Sequence, residues 1–256
     1  IVGPVDTVLA DTGTARVRTV TPDGAIQAGP QLTELIRVAV GSGGYFVPIF
    51  HEPHGIAVDE SGNVYVASRL YGAILRVAPD GRFVTIARGL NEPTGLARDR
   101  FGNLYIAETG NHRILKLTPE GTLIPVAGVR RSPGGPRARV LPALTAPEAV
   151  AVDGQGNLYI ADTGNHRIQR QTPDGSITTV AGRGAPGFEG DGGPAASALL
   201  RSPRGLAVDE AVNLYIADTG NARIRKVSPA GMITTLAGIG KAYLGSDDGP
   251  ADRALL

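Results

Sequence analysis

The sequence has no cysteine, so neither a disulfide framework nor thiolate chemistry is open to it. No charge sign dominates: 25 Lys and Arg stand against 24 Asp and Glu, a net charge of +1 that gives no overall attraction to nucleic acid or an anionic membrane. No apolar run reaches the roughly 18 residues of a membrane span. No G-x-S-x-G elbow, H-E-x-x-H pair or phosphate loop is present, which removes the usual signatures of nucleophilic, zinc and nucleotide chemistry. The chain opens "IVGPV" without Met or a charged-then-apolar leader, so no signal peptide is legible, as expected of a mature or excised form.

What is abundant is turn-forming residues. Gly (36) and Pro (19) make up about a fifth of 256 residues, while hydrophobic residues are 42% and charged ones 19%. That composition suits many short strands in one domain with a sizeable core.

The sequence also repeats itself. Anchored on the proline of a "TPDG"-type turn, copies fall at Pro22, Pro79, Pro119, Pro173 and Pro229, spaced by 57, 40, 54 and 56 residues. One unit reads "AVAVD", "NLYIAD", "RIQRQ", "SITTVAG", four short runs separated by "DGQGN", "TGNH" and "TPDG", whose residues accept positive φ or form Asx turns. Tight turns between short runs make a four-stranded antiparallel meander. In "LYIA", Leu158 and Ile160 point one way and Tyr159 and Ala161 the other, so the sheet is apolar on both faces and must be covered on both. A ring of such sheets, each packed between two neighbours, meets that demand. Horseshoe periods of 20–29 residues and helical 3.6-residue periodicity do not fit. The expected fold is an all-β propeller of four-stranded antiparallel blades.

The motif "NLYIADTGNHRIQRQTPDG", with "NHRI" at Asn111 to Ile114 and Asn165 to Ile168, resembles the NHL repeat. The longer "VAGRGAPGFEGDGGPAASALLRSPRGLAVD" is similar to long NHL units of bacterial extracytoplasmic proteins and of related animal adhesion molecules. The resemblance covers nearly all of 54–256. It implies a propeller, usually six-bladed, used mostly as a binding platform, and an extracytoplasmic or secreted location. Read as one domain over 1–256, the chain divides into units near 53–90, 93–128, 147–182 and 203–238, a degenerate region 1–50 and a closing segment 239–256. "TVTPDG" can be read in two frames, as the close of a third strand or as the first turn of a degenerate blade of residues 17–50. Six blades are expected on strand count, five being the alternative.

Within "ADTGNHRI", Asp162 and Arg167 flank a turn and would meet across a hairpin. The same spacing recurs as Asp11 with Arg16, Glu108 with Arg113 and Asp218 with Arg223. A catalytic centre is needed once and a turn lock in every blade, so these pairs read as structural, each acid satisfying a guanidinium. His112 and His166 share a position that holds Ala15, Gly72 and Ala222 elsewhere, and read as solvated turn histidines.

The residue after each unit's first proline differs from copy to copy: His54, Thr94, Glu148 and Arg204. In propeller geometry it faces one mouth of the central channel, where difference among repeats suits a single asymmetric site. Peptidyl-hydroxyglycine lyase domains, a similar propeller, hold zinc on histidines after such prolines; here His54, Glu148 and His51 are the only set that resemblance offers. The acidic segments "FEGDGGPA" (Glu189, Asp191) and "GSDDGPA" (Asp247, Asp248) have too few carboxylates for a calcium loop and read as excursions between blades. The basic run Arg130, Arg131, Arg137 and Arg139 lacks aromatic residues for base stacking and reads as a solvated loop. The sequence thus points to a non-enzymatic binding propeller without a cofactor, whose partner is a protein, peptide or glycan and not nucleic acid. A channel-mouth lyase or lactone hydrolase using zinc or calcium is the alternative, and RNA binding, as in some animal NHL proteins, the third.

Overall fold

The structure, a computed structural model, describes residues 53–128 and 143–240 together with the backbone of three N-terminal strands. The latter, β1 (Thr7–Asp11), β2 (Arg16–Val20) and β3 (Ile26–Ala28), form an antiparallel sheet in that order. Four four-stranded meanders follow. The first blade is β4 (Pro53–Val58), β5 (Val64–Ser68), β6 (Ala73–Val77) and β7 (Phe83–Ala87). The second is β8 (Pro93–Arg98), β9 (Leu104–Glu108), β10 (Arg113–Leu117) and β11 (Leu123–Ala127). The third comprises β12 (Ala149–Val152), β13 (Leu158–Asp162), β14 (Arg167–Gln171) and β15 (Ile177–Ala181), and the fourth β16 (Gly205–Val208), β17 (Leu214–Asp218), β18 (Arg223–Val227) and β19 (Ile233–Ala237).

The propeller of four-stranded antiparallel blades is therefore present, but the blade count corrects the expectation: the described residues form four such blades, not six or five. The reason lies in the N-terminal region. β2 is the middle strand of one sheet, paired with β1 through Asp11↔Arg16 and with β3 through Val20↔Ile26. "TVTPDG" thus joins the second and third strands of that sheet instead of opening a separate blade at residue 17, and the sheet has three strands where a blade has four. The remainder of the degenerate region, His51, the basic run at 130–139 and the acidic pair Asp247 and Asp248 lie outside the described residues.

The core sits between blades. Leu158 and Ile160 pack against Ala107, Ile114 and Ala127 of the second blade, while Tyr159 and Ala161 pack against Leu214 and Ile216 of the fourth. All five residues of β13 are buried, as its two-sided apolar pattern requires. Each buried Leu or Ile contributes about 1.5–3 kcal/mol, so the blade interfaces carry most of the stabilisation. The innermost strands come close enough for their backbones to touch. A Cβ on Gly55 would lie 2.0 Å from the Thr94 carbonyl oxygen, and one on Gly95 would lie 2.6 Å from that of Glu148. Glycine after "P-x" is what lets neighbouring first strands meet there.

In every blade the chain descends the first strand, turns at "D-x-x-x-N", climbs the second, turns at "TGN" ("RLYG" in the first blade), descends the third and turns at "P-x-G". The "TGN" turns therefore share one face, here the upper, with the connections between blades. The other two turns share the lower face.

Candidate functional site

The upper face is built from "ADTGNHRI". Each "TGN" forms one 3₁₀ turn, Thr109–Asn111, Thr163–Asn165 and Thr219–Asn221, ended by a left-handed residue: His112 (φ 55°), His166 (φ 53°) and Ala222 (φ 47°). The acids before these turns, Glu108, Asp162 and Asp218, have no exposed surface. Each accepts a backbone N–H from the segment leading into its own blade: Asn91 to Glu108 at 2.9 Å, Thr145 to Asp162 at 2.7 Å and Arg201 to Asp218 at 2.7 Å. The turn asparagine donates to the same carboxylate in all three.

The arginine partner is less uniform than its spacing. Arg167 Nε donates to Asp162 at 2.9 Å and Arg113 pairs with Glu108. Asp218 does not pair with Arg223. Its partner is the fully buried Arg225, at 3.3 Å, while Arg223 lies over the Phe188 ring at 3.7 Å and donates to the Ile239 carbonyl. The cause is the excursion between the third and fourth blades. Asp191 accepts Arg225 Nη2 at 2.7 Å and Thr235 Oγ1 at 2.6 Å, and Gly192 and Ala195 donate to Ile233 and Gly231, which fastens the excursion to the fourth blade's outer strand. Burial pushes the Asp218 carboxyl up, outweighing its hydrogen bonds from Asn221 and Arg201 and the Arg225 charge.

The histidines have partners across the blade boundary. His112 Nδ1 accepts the Ala146 N–H at 2.9 Å and His166 Nδ1 that of Ser202 at 3.1 Å. Ala146 and Ser202, like Glu92, have positive φ immediately before a proline, a strained conformation. One residue further on, Thr109 Oγ1 donates to the Pro147 carbonyl and Thr163 Oγ1 to that of Pro203, both at 2.7 Å. The connections into the third and fourth blades are thus clamped by the acid of their own blade and by the Thr and His of the preceding one.

The four positions expected at the mouth follow the prolines that open the blades. Thr94 is 5% exposed, with its hydroxyl 2.6 Å from that of Thr109 and donating to the Glu148 carbonyl at 2.9 Å. Glu148 and Arg204, from adjacent blades, approach to 3.6 Å as an ion pair whose Arg204 side chain is 57% exposed. His54 lies in β4 and is also engaged. Among the described residues no three His, Cys, Asp or Glu side chains gather to hold a metal ion. Of the set the lyase resemblance offers for zinc, Glu148 faces the Arg204 guanidinium and His51 lies outside the described residues.

The lower face carries a second regular device, which extends the Asx turn expected of "DGQGN" to the Asn and Tyr side chains that follow. Asp153 accepts the N–H groups of Gln155 and Asn157, the Asn157 side chain and the Tyr159 hydroxyl, at 2.7–3.2 Å. The same arrangement occurs at Asp59 with Asn63 and Tyr65, Asp99 with Asn103 and Tyr105, and Asp209 with Asn213 and Tyr215. Its signal was the constant Asp, Asn and Tyr of "V-D-x-x-G-N-L-Y". Burial, with Asp99 beside it, pushes the Tyr105 hydroxyl up to about 12. Asp209 is held below its ordinary 3.8 by hydrogen bonds from Asn213.

Repeated meanders with a clamped "TGN" turn in each complete blade after the first define an NHL-type β-propeller. The NHL repeat family model matches residues 90–117 and 144–170, and the teneurin NHL domain model matches 187–251. The chain belongs to the NHL-repeat β-propeller family. It is similar to mouse teneurin-1, 39% identical over 100 residues, which cover 33% of this chain and 4% of teneurin-1. Among solved structures it resembles the nidogen/laminin complex (TM-score 0.66, 20% identity, 91% of this chain and 78% of that one). It also resembles a streptogramin B lyase (TM-score 0.59, 14% identity, 90% and 64%). At these identities the two structures share the fold. No helix among the described residues is long and apolar enough to cross a membrane.

Proposed function

We propose that the protein is a non-enzymatic, extracytoplasmic binding propeller that takes a protein, peptide or glycan partner through one face or the channel mouth. The observation that carries this is the fate of the polar residues in its turns: buried acids and threonines, and the more exposed histidines, are spent on backbone N–H and C=O groups of the blade connections. The polar side chains that differ between blades, Glu148 and Arg204 foremost, remain at the mouth and partly exposed. Varied, accessible polar groups on a rigid frame suit recognition. The likeness to nidogen, whose structure was solved with laminin, supports the reading by analogy of fold.

Replacing His54, Glu148 and Arg204 together with alanine should leave the fold intact and abolish partner binding. A robust turnover lost on that substitution would overturn the reading. The second reading, a metal-assisted lyase or lactone hydrolase, draws on the fold likeness to the streptogramin B lyase. Elemental analysis of the purified protein separates the two: about one zinc or calcium per chain favours the enzyme.

A further inference from the structure

The second blade departs from the repeat on the lower face. Where the other three blades read "VDESGN", "VDGQGN" and "VDEAVN", it reads "RDRFGN". Arg98 stands in the position of Val58, Val152 and Val208. Arg100 replaces Glu60, Gly154 and Glu210, and Phe101 replaces Ser61, Gln155 and Ala211. The hairpin itself does not call for the change, because Asp99 makes the same bonds to Asn103 and Tyr105 as its counterparts make.

These residues line a groove of about 530 Å³ between the first and second blades, together with Arg76 and Tyr65. Arg76 lies opposite Tyr65 in the β5–β6 register, and the charges of both Arg76 and Arg98 act on the Tyr65 hydroxyl. Among the described residues, none of the three guanidiniums has a carboxylate partner within ion-pair distance, and the Arg98 Nε is buried without a hydrogen-bond partner. Phe101 is 67% exposed, with the Arg100 guanidinium 4.8 Å from its ring centre. Glu120, at the rim, is engaged by the Thr118 side chain. Unpaired guanidinium forks beside an exposed ring ask for an anion carried on a flat, partly apolar body.

We propose that this groove binds an acidic saccharide, with its carboxylate or sulfate groups on Arg98 and Arg100 and a sugar ring against Phe101. An acidic peptide fits less well, because turns and not a free strand edge form this face, leaving no ladder for a peptide strand to extend. Single-stranded nucleic acid would need a succession of stacking rings where the groove exposes one, Phe101. The proposal rests on the binding reading above, but on the face opposite the mouth.

The test uses three proteins: the unaltered chain, the mouth variant with His54, Glu148 and Arg204 changed to alanine, and a groove variant. The groove variant, Arg98→Val with Arg100→Glu and Phe101→Ser, installs the residues of the first blade and so keeps the fold. Calorimetry with an oligogalacturonate and with a heparin-derived oligosaccharide should show binding of at least one, equal in the unaltered and mouth-variant proteins. The groove variant should bind it roughly a hundredfold more weakly, about tenfold for each charged fork lost. The probe that binds identifies carboxylate or sulfate. The proposal is overturned if neither saccharide binds, if the groove variant binds undiminished, or if polyglutamate or oligo-dT of equal charge binds as well. Loss confined to the mouth variant would overturn it too while supporting the mouth reading.

Discussion

In the second, third and fourth blades the two ends use the same chemistry, a carboxylate gathering N–H donors, for different ends. On the upper face Asp162 reaches out of its hairpin to the Thr145 N–H, in the segment that carries the chain over from the second blade. On the lower face Asp153 turns inward and binds the Gln155 and Asn157 N–H groups of its own hairpin. The upper acid fixes where a blade stands relative to its neighbour, and the lower fixes how a hairpin closes. Regularity is demanded of both, so variation at either end marks something added: Arg225 above, and Arg98, Arg100 and Phe101 below.

The sharpest way to break this contrast is at Asp218. Asp218→Ala removes one carboxylate partner of a buried arginine and the acceptor of the Arg201 N–H, and should cost about 3–5 kcal/mol in denaturant unfolding. Next come the touching inner strands. Gly95→Ala should cost about 1–3 kcal/mol by overpacking, whereas Gly205→Ala, whose new Cβ would lie 3.1 Å from Ala217 Cβ, should cost under about 1 kcal/mol. His166→Ala, which removes one acceptor across the blade boundary, should cost about 1 kcal/mol and lower the melting temperature by a few degrees.

The smallest effect should come from acid acting on the lower face. Asp209 has a folded pKa below its ordinary 3.8, so its contribution is present above that value and is lost as pH falls through the folded value. The stability difference between the unaltered chain and Asp209→Asn should shrink below about pH 4. Asp218 runs the other way. Its raised pKa makes its contribution greatest below 3.8 and smaller as pH rises through the folded value.

The repeat made the blades legible because the strand pattern and turn chemistry agree in every copy. Leu158 and Tyr159, alternating in β13, mark the two interfaces in the sequence alone. Blade number was harder to read, since residues 17–50 keep strand-like runs without the turns that place them. The Asp162 and Arg167 pairing follows from local spacing, but that of Asp218 with Arg225 does not, because it depends on the excursion between β15 and β16. The turn setting of His112 and His166 follows from the repeat and His112 is exposed as expected, but the N–H groups they accept, from Ala146 and Ser202, lie 34 and 36 residues away and beyond the reach of local spacing. Thr94 was placed at the mouth by its position after a proline. Its hydroxyl meets Thr109 of its own blade and donates to the Glu148 carbonyl of the next, and that second contact is one no single unit encodes.

Native-state hydrogen exchange on Asp162→Ala and Asp153→Ala tests the division of labour between the two faces most directly. Asp162→Ala should speed exchange in the connection around Thr145 and Ala146 while sparing Gln155 and Asn157, and Asp153→Ala should do the reverse. Equal acceleration of both regions in both variants, or no change at Thr145 in Asp162→Ala, would contradict it.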